Sequence, residues 1–369
     1  MGSRIAWVFV VVASIALGAA AVVGVDALRS DESAPATVVE RFTPSPDGNV
    51  AQSLLNDVAD LYAEVNRSVV QINGASSRSG SSGLGSGVVL DKDGRILTNF
   101  HVVDGFDRLD VLLPDGTGAT AQLVGSDPGD DLAVIQVDLP ANKLFPVKLG
   151  DSDKVRAGEL VIAVGNPFGI EGTVTQGIVS GVGRTLSSGG GGRPLRQLIQ
   201  SDASINPGNS GGGLFNGKGE LIGITTAIEN PSGDRVFVGI GYAVPINTAR
   251  RFLPDMLANR PVEHPRMGVG LQNLTPALAG QLGLDVQQGV LITTIETGSA
   301  AERASLRGGA RRGAVGDVIT AIEDKAVKTY EDLANYIDSR NVGDRVTVKI
   351  VRDGREMTID VTLEAWRSN

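Results

Sequence analysis

The sequence predicts a mainly β protein, a large sandwich- or barrel-type domain followed by a small α+β domain, and three observations lead there. Between Val69 and Val244 short runs rich in valine and isoleucine recur, among them "SGVVL", "LAVIQV", "LVIAVG" and "LIGITTAI", each bounded by Gly, Asp, Asn or Pro. That is the pattern of strands joined by tight turns. The chain carries 49 glycines and only 4% aromatic residues, and no long helical period interrupts this region. Finally, its 369 residues leave room for about two domains of ~100–200 residues each, and strand patterns resume after a proline-flanked break near residue 264.

Taken in order, the chain begins with 21 uncharged residues, Ile5–Val25. As a helix they would span about 31 Å, close to the ~30 Å hydrocarbon core of a bilayer. The reading is a transmembrane signal anchor over residues 1–26, with a cleaved signal peptide as the alternative because of the small residues Ala19–Ala21. In either case Arg4 stays inside and everything after Asp26 is exported. Residues 27–55 mix Pro, Ser and acids without periodicity and read as a flexible linker. "LLNDVADLYAEVNRSVVQI" predicts a short helix running into the first strand.

The first folded domain is expected over residues 56–260, closing with the helical "NTARRFLPDMLANR". "PVEHPRM" then reads as a linker. A second domain over residues 266–365 contains the strands "GVGLQNL", "GVLITTIE", "DVITAIED", "RVTVKIVRDG" and "EMTIDVTL". Helices are expected near "TPALAGQLG" and "TYEDLANYIDSR"; in the latter Leu333, Tyr336 and Ile337 form one apolar stripe. Thr329 and Asp332 resemble an acidic capping box at its start. "RGGARRGAVGD" reads as a solvated loop.

Composition narrows the function. A formal net charge of −9 argues against a general nucleic-acid binder, which needs a basic surface. The absence of cysteine excludes disulfides, thiol catalysis and cysteine-ligated zinc. "GLGSG" has no following helix to hold a phosphate, and no P-loop lysine motif is present. No cofactor or metal is expected.

The stretch "SINPGNSGGGL", Ser204–Leu214, holds one serine amid glycines. It reads as a linker or tight turn, or as a nucleophile on a strained loop whose glycines let backbone N–H groups approach a reacting carbonyl. A nucleophilic serine needs a base, and the chain has two histidines. His264, between prolines, reads as a solvated surface residue. His101 ends the strand-like "ILTNFHVV" among apolar residues. In "GDDLAVIQV", Asp131 stands directly before a buried-looking strand and could orient an imidazole, while Asp130 fits a turn or cap. The order His101, Asp131, Ser210 is that of the chymotrypsin-type double β-barrel and differs from α/β hydrolases and subtilisins.

These stretches, with "SGVVLDKDGRILTNFHVV", "DDLAVIQV", "AVGNPFG", "VTQGIVSGVGR", "LIQSDASINPGNSGGGL" and "GIGYAVPIN", resemble the HtrA/Deg family of trypsin-like serine proteases with C-terminal PDZ domains. The resemblance covers most of residues 62–256. It implies His101 as base, Asp131 as its orienting partner and Ser210 as nucleophile, with the N–H groups of Gly208 and Ser210 as oxyanion hole. It also implies a pocket for small aliphatic side chains shaped by Ile205, Asn206, Thr225, Thr226 and Ala227. The second domain resembles one PDZ domain: Met267, Gly268 and Val269 would offer a carboxylate-binding loop and strand, and Leu333 and Ile337 would wall the groove for a peptide C-terminus. Thr185–Leu195, "TLSSGGGGRPL", falls at the family's activation loop, although a passive surface loop fits as well. Relatives assemble as trimers through the segment before the first strand, where Leu61 and Tyr62 stand here.

One departure is Gly213, where the family usually has proline in GNSGGPL; the substitution frees a turn. The expected function is a membrane-anchored endopeptidase that degrades unfolded exported proteins, with both domains on the extracytoplasmic side. The alternative is a peptide-binding chaperone or sensor with weak or lost proteolysis.

Overall fold

The computed structural model describes residues 49–167, 172–186, 193–206, 208–228, 238–309 and 315–366, with side chains from Asp57 onward except at Ala227 and Ile228. The apolar segment Ile5–Val25 lies outside these residues, and among the described residues no helix is long and apolar enough to cross a membrane. Helix α1, Asn49–Asn66, reaches back into the segment read as a linker. Val65 is buried and Val58, Leu61 and Tyr62 pack on the main core, so apolar residues at helical spacing fix this element.

Six strands then close a barrel in the order β1-β2-β3-β6-β5-β4. They are β1 (Val69–Ala75), β2 (Ser82–Val89), β3 (Arg95–Thr98), β4 (Arg108–Leu112), β5 (Gly118–Asp127) and β6 (Leu132–Val137), with the one-turn helix α2 (Phe100–Val103) after β3. A second sheet contains β7 (Lys148–Leu149), β8 (Leu160–Gly165), β9 (Thr173–Leu186), β10 (Leu195–Ser201), β11 (Gly213–Asn216), β12 (Glu220–Ile228) and β13 (Gly241–Pro245). Its order is β11-β8-β9-β10-β13-β12-β7, and β11 also pairs with β12. That extra pairing returns the order on itself, so a second ring closes with β7 attached in parallel to β12.

The near-continuous apolar runs follow from burial on both strand faces. Successive side chains of a strand point to opposite faces. Val70, Ile72, Val89, Ile96 and Ile135 fill the first barrel, while Val69, Val88, Leu97 and Val134 face the second ring with Ile162, Val164 and Phe215. Val161 and Ala163 fill the second ring itself. Each of the valine, leucine, isoleucine and phenylalanine side chains contributes roughly 1.5–3 kcal/mol by burial. Helix α3, Ile246–Leu257, closes this domain by burying Ile246, Ala249, Phe252 and Met256.

The C-terminal domain has a short ribbon of β14 (Pro265–Arg266) with β21 (Glu364–Ala365). Its main sheet runs β15-β16-β17-β19-β20, with β18 paired to β17. The strands are β15 (Val269–Leu274), β16 (Gly289–Ile295), β17 (Val318–Ile322), β18 (Lys325–Ala326), β19 (Arg345–Arg352) and β20 (Arg355–Thr362). Helices α4 (Pro276–Leu282), α5 (Ala300–Arg303) and α6 (Tyr330–Asp338) cover it. Helix α5 is absent from the sequence reading; its four residues are too few to show a period. The capping box at Thr329 and Asp332 forms as the spacing predicts. In "RGGARRGAVGD" residues 310–314 lie outside the described residues, and Asp317 is buried against Arg352 at 2.6 Å, so that end of the loop is anchored.

Candidate active site

Strand β3 stops at Thr98, and His101 sits on helix α2 rather than at a strand end. Val102 and Val103 are buried beneath it, which leaves the imidazole on the open side of the turn, half exposed. Asp131 stands in the turn between β5 and β6 with φ +55°, held by the Asn99 amide donating to its carbonyl at 2.9 Å. Its carboxylate accepts the His101 backbone N–H at 3.0 Å and lies 2.8 Å from His101 Nδ1. An ionised carboxylate only accepts, so Nδ1 carries the proton and Nε2 is left as an acceptor. The Thr226 hydroxyl donates to the same carboxylate.

Ser210 belongs to the loop before β11. Its hydroxyl donates to the Thr226 carbonyl at 3.3 Å, and among the described residues no hydrogen bond joins it to His101. Thr226 therefore touches two of the three side chains, one through its hydroxyl and the other through its carbonyl. The loop is braced from inside: Gly211 N–H donates to Thr225 O at 2.8 Å and Thr225 N–H to Gly212 O at 3.0 Å. Gly208 and Gly211 have φ of +96° and +84°. A Cβ at Gly208 would lie 2.5 Å from Pro167 Cβ, and one at Gly211 would lie 2.1 Å from the Ser86 carbonyl oxygen. These positions answer why the loop is glycine-rich: no side chain fits the space or the backbone. Among the described residues no acceptor takes the N–H of Gly208 or of Ser210; Pro207 between Asn206 and Gly208 lies outside them.

The residues expected to shape a substrate pocket divide. Ile205 is buried and Asn206 exposed. Thr225 is fully buried, with its hydroxyl donating to Asn209 O at 2.6 Å and Gly212 O at 3.2 Å, so it braces the loop instead of facing a pocket. Thr226 is engaged with Asp131. Ala227 pairs in β12 opposite Tyr242, and its side chain lies outside the described residues.

His264 corrects the sequence reading. It is 5% exposed, with Nε2 2.7 Å from Asp127 Oδ1 and Nδ1 3.8 Å from Asp130 Oδ2, and its ring meets Phe252 edge-on at 4.9 Å. Asp130 stands in the turn after β5, as the turn reading has it. It is buried and ion-paired to Arg193. Burial pushes the Asp130 carboxyl up, Arg193 pulls it down, and the net direction is upward. Ligand atoms of Asp127, Asp130 and His264 lie within 4.8 Å of one another, but a guanidinium already occupies Asp130. The glycine-rich "TLSSGGGGRPL" is described only at its ends; residues 187–192 lie outside.

In the C-terminal domain β15 is an edge strand of its sheet and lies beside α6. Among the described residues no acceptor takes the N–H of Met267 or Gly268, and Gly268 has φ +77°. Val269 opens β15. The Tyr330 N–H donates to Asn273 Oδ1 at 2.6 Å, tying the start of α6 to that strand. Leu333 and Ile337, expected on the groove wall, are buried in the core cluster that holds Met267, with Val269 and Leu271 of β15 packed against it.

Family and structural comparisons agree with this architecture. A model of the trypsin-like peptidase domain matches residues 85–224, and one of the PDZ domain matches residues 265–363. A probable periplasmic serine endoprotease, DegP-like, of Brucella suis is 40% identical over 281 residues, covering 76% of this chain and 52% of that protein. The periplasmic serine endoprotease DegP of Escherichia coli is 38% identical over 298 residues, covering 80% of this chain and 60% of its own length. The chain thus spans between half and two thirds of these relatives. Among solved structures, the HtrA-type protease AlgW with tripeptide aligns with a TM-score of 0.71 and 34% identity, covering 84% of this chain and 98% of that one.

Proposed function

The chain belongs to the HtrA/DegP family of serine proteases, and from that premise we propose that it is an extracytoplasmic serine endopeptidase that cuts unfolded exported proteins. The observation that carries the reading is the 2.8 Å contact of His101 Nδ1 with Asp131, beside a serine bound to the same threonine that holds Asp131. In the reaction the Ser210 hydroxyl turns from Thr226 O to His101 Nε2. It gives up its proton as its oxygen attacks the scissile carbonyl. The N–H groups of Gly208 and Ser210, which meet no other acceptor among the described residues, stabilise the developing oxyanion. Asp131 holds the Nδ1–H tautomer and balances the imidazolium. His101 then protonates the leaving amine, and water hydrolyses the acyl-enzyme by the same route.

A serine-directed fluorophosphonate tests this. Wild type should label at Ser210, Ser210→Ala should not, and His101→Ala should label far more slowly. A second reading, a peptide-binding chaperone, is favoured by one observation: the Ser210 hydroxyl rests on Thr226 and not on His101. Wild type that neither labels nor cleaves, yet suppresses aggregation of unfolded protein, would establish that alternative.

The remaining parts of the proposal have separate tests. The N–H groups of Met267 and Gly268, without an acceptor among the described residues, lie beside the edge strand β15 and suit the carboxylate of a peptide C-terminus; amidating that terminus should abolish binding. The periplasmic names of the relatives support an exported location, and an anchor at Ile5–Val25 predicts retention in membranes after carbonate washing. Assembly as a homotrimer through the α1 region predicts a trimer mass in light scattering of residues 51–369. Tyr62 donates to Gly172 O of its own chain at 2.8 Å, which leaves only part of its ring for a neighbour.

A further inference from the structure

The geometry points to Ser86 as the positioning residue that holds the oxyanion-binding loop in register with the first barrel. The inference rests on the protease reading above and concerns a side chain that the reading does not use. Ser86 lies in β2 and is fully buried. Its hydroxyl donates to the Gly208 carbonyl at 2.6 Å and accepts the Asn166 N–H at 2.8 Å. Its own N–H donates to the Ser210 carbonyl at 2.8 Å, and its carbonyl accepts the Thr98 hydroxyl at 2.6 Å. One residue of the first barrel thus grips the carbonyls of both residues whose N–H groups face the oxyanion.

The Gly208 carbonyl is the part most in need of a restraint. Glycine at φ +96° is required there by Pro167, and glycine is also the residue whose flanking peptide planes turn most freely. Among the described residues the Ser86 hydroxyl is the donor to that carbonyl, while the N–H of the same peptide unit, at Asn209, donates to Asn206 O at 3.0 Å. With that plane pinned at both ends, only the φ and ψ of Gly208 separate it from the Gly208 N–H. Fixing the carbonyl therefore restricts the direction of the donor. The Asn166 N–H fixes the hydroxyl in turn, so β2, the residue following β8 and the nucleophile loop share one hydrogen-bonded node.

Preorganised donors stabilise a transition state because they need no reorientation as charge develops. Loss of a whole donor costs about 100–1,000-fold in kcat; loss of its restraint should cost less, about tenfold. The test measures cleavage of quenched, dye-labelled casein by Ser86→Ala and by Ser86→Cys, which keeps a weak donor. Affinity for a peptide aldehyde, whose adduct carries the oxyanion, is measured beside affinity for the parent peptide. Ser86→Ala should lose about tenfold in kcat and in aldehyde affinity, with KM and peptide affinity unchanged, and Ser86→Cys should fall between it and wild type. Wild type unreactive toward fluorophosphonate would overturn the protease reading itself. Reactive wild type with Ser86→Ala inside twofold of its kcat would overturn the role of Ser86 alone. So would equal losses of substrate and aldehyde affinity accompanied by non-cooperative unfolding, because Ser86 would then be a packing residue only.

Discussion

Arg193 Nη2 lies 3.3 Å from Asp338 Oδ1, with both side chains at least nine-tenths buried. The pair joins the segment entering β10 of the protease domain to the last turn of α6 in the PDZ domain. Arg196 reaches the same carboxylate at 3.1 Å, and Arg251 donates to the Asp338 and Arg340 carbonyls. Arg193 also pairs with Asp130, the sequence neighbour of Asp131. A helix beside the proposed peptide groove is thus linked through one guanidinium to the turn that carries a proposed catalytic carboxylate.

Removing Arg193 leaves the buried Asp130 carboxylate without its guanidinium, while Arg196 still faces Asp338, so Arg193→Ala should lower stability by about 3–5 kcal/mol at neutral pH. The deficit should depend on pH. Asp130 has its pKa raised, chiefly by burial. A carboxyl raised in the folded state contributes stability that is present below its unfolded value of ~3.9 and lost as pH rises through the folded value. Without Arg193 the folded value climbs further and the loss grows. Urea unfolding should therefore show a larger deficit at pH 7 than at pH 5; equal deficits would remove this linkage.

Thr226 is the next test. Its hydroxyl donates to Asp131, and Thr226→Val keeps the shape while deleting that donor. The carboxylate then relies on His101 alone among these two side chains, so imidazole orientation should loosen and kcat should fall by about tenfold with little change in KM. A proportional rise in KM at constant kcat would mean that Thr226 contacts substrate instead.

The sequence was informative where chemistry or periodicity is local. The valine- and isoleucine-rich runs bounded by turn residues announced strands such as β2 and β6. The spacing of Thr329 and Asp332 announced the cap of α6. His101 and Asp131 were singled out because few residue types can activate a serine, and the structure brings the two side chains into contact. What stayed hidden depends on distant segments meeting. His264 looked solvated between prolines, yet Asp127, 137 residues away, and Phe252 on the helix before it bury it. Arg193 looked like the end of a glycine-rich surface loop, and only Asp130 and Asp338 make it a buried ion. Ser86 carries no signal of its own, since a serine in a "GSG" strand is ordinary until its partners are known. The depth at which Leu333 and Ile337 are buried was also hidden, because an apolar stripe does not say how far its neighbours cover it.

The capping box of α6 offers a pH test of opposite sign. Burial pushes the Asp332 carboxyl up, but the Lys328 and Thr329 N–H groups and the Thr329 hydroxyl outweigh it and the net shift is downward. Its contribution is present above the unfolded value of ~3.9 and lost as pH falls through the folded value. Thr329→Ala should cost about 1 kcal/mol. Asp332→Asn should lower the melting temperature at pH 6 and converge with wild type in acid. A deficit unchanged down to pH ~2 would show that the carboxylate charge plays no part.

Gly213 gives the last prediction, and it reverses the sequence reading. The glycine was expected to loosen a turn, but it lies in β11, opposite Val164 of β8 and Ile224 of β12. A Cβ built there would sit 2.3 Å from the Phe215 ring and 2.9 Å from Leu221 Cδ1. Phe215 is fully buried and belongs to the core shared by the two barrels. The phenyl ring therefore fills the volume that a proline ring would claim, and glycine is the residue that admits it. Gly213→Pro alone should overpack this core and destabilise by about 1–3 kcal/mol, with activity falling in step. Phe215→Val alone should open a cavity and destabilise as well. Combined, the two changes exchange one ring for another, so the double variant should be more stable than the sum of the singles predicts, by about 0.5–3 kcal/mol. Thermal unfolding and casein cleavage of all four proteins decide it. Gly213→Pro that is more stable and more active on its own would mean the ring moves aside freely and the glycine is a loosening substitution after all.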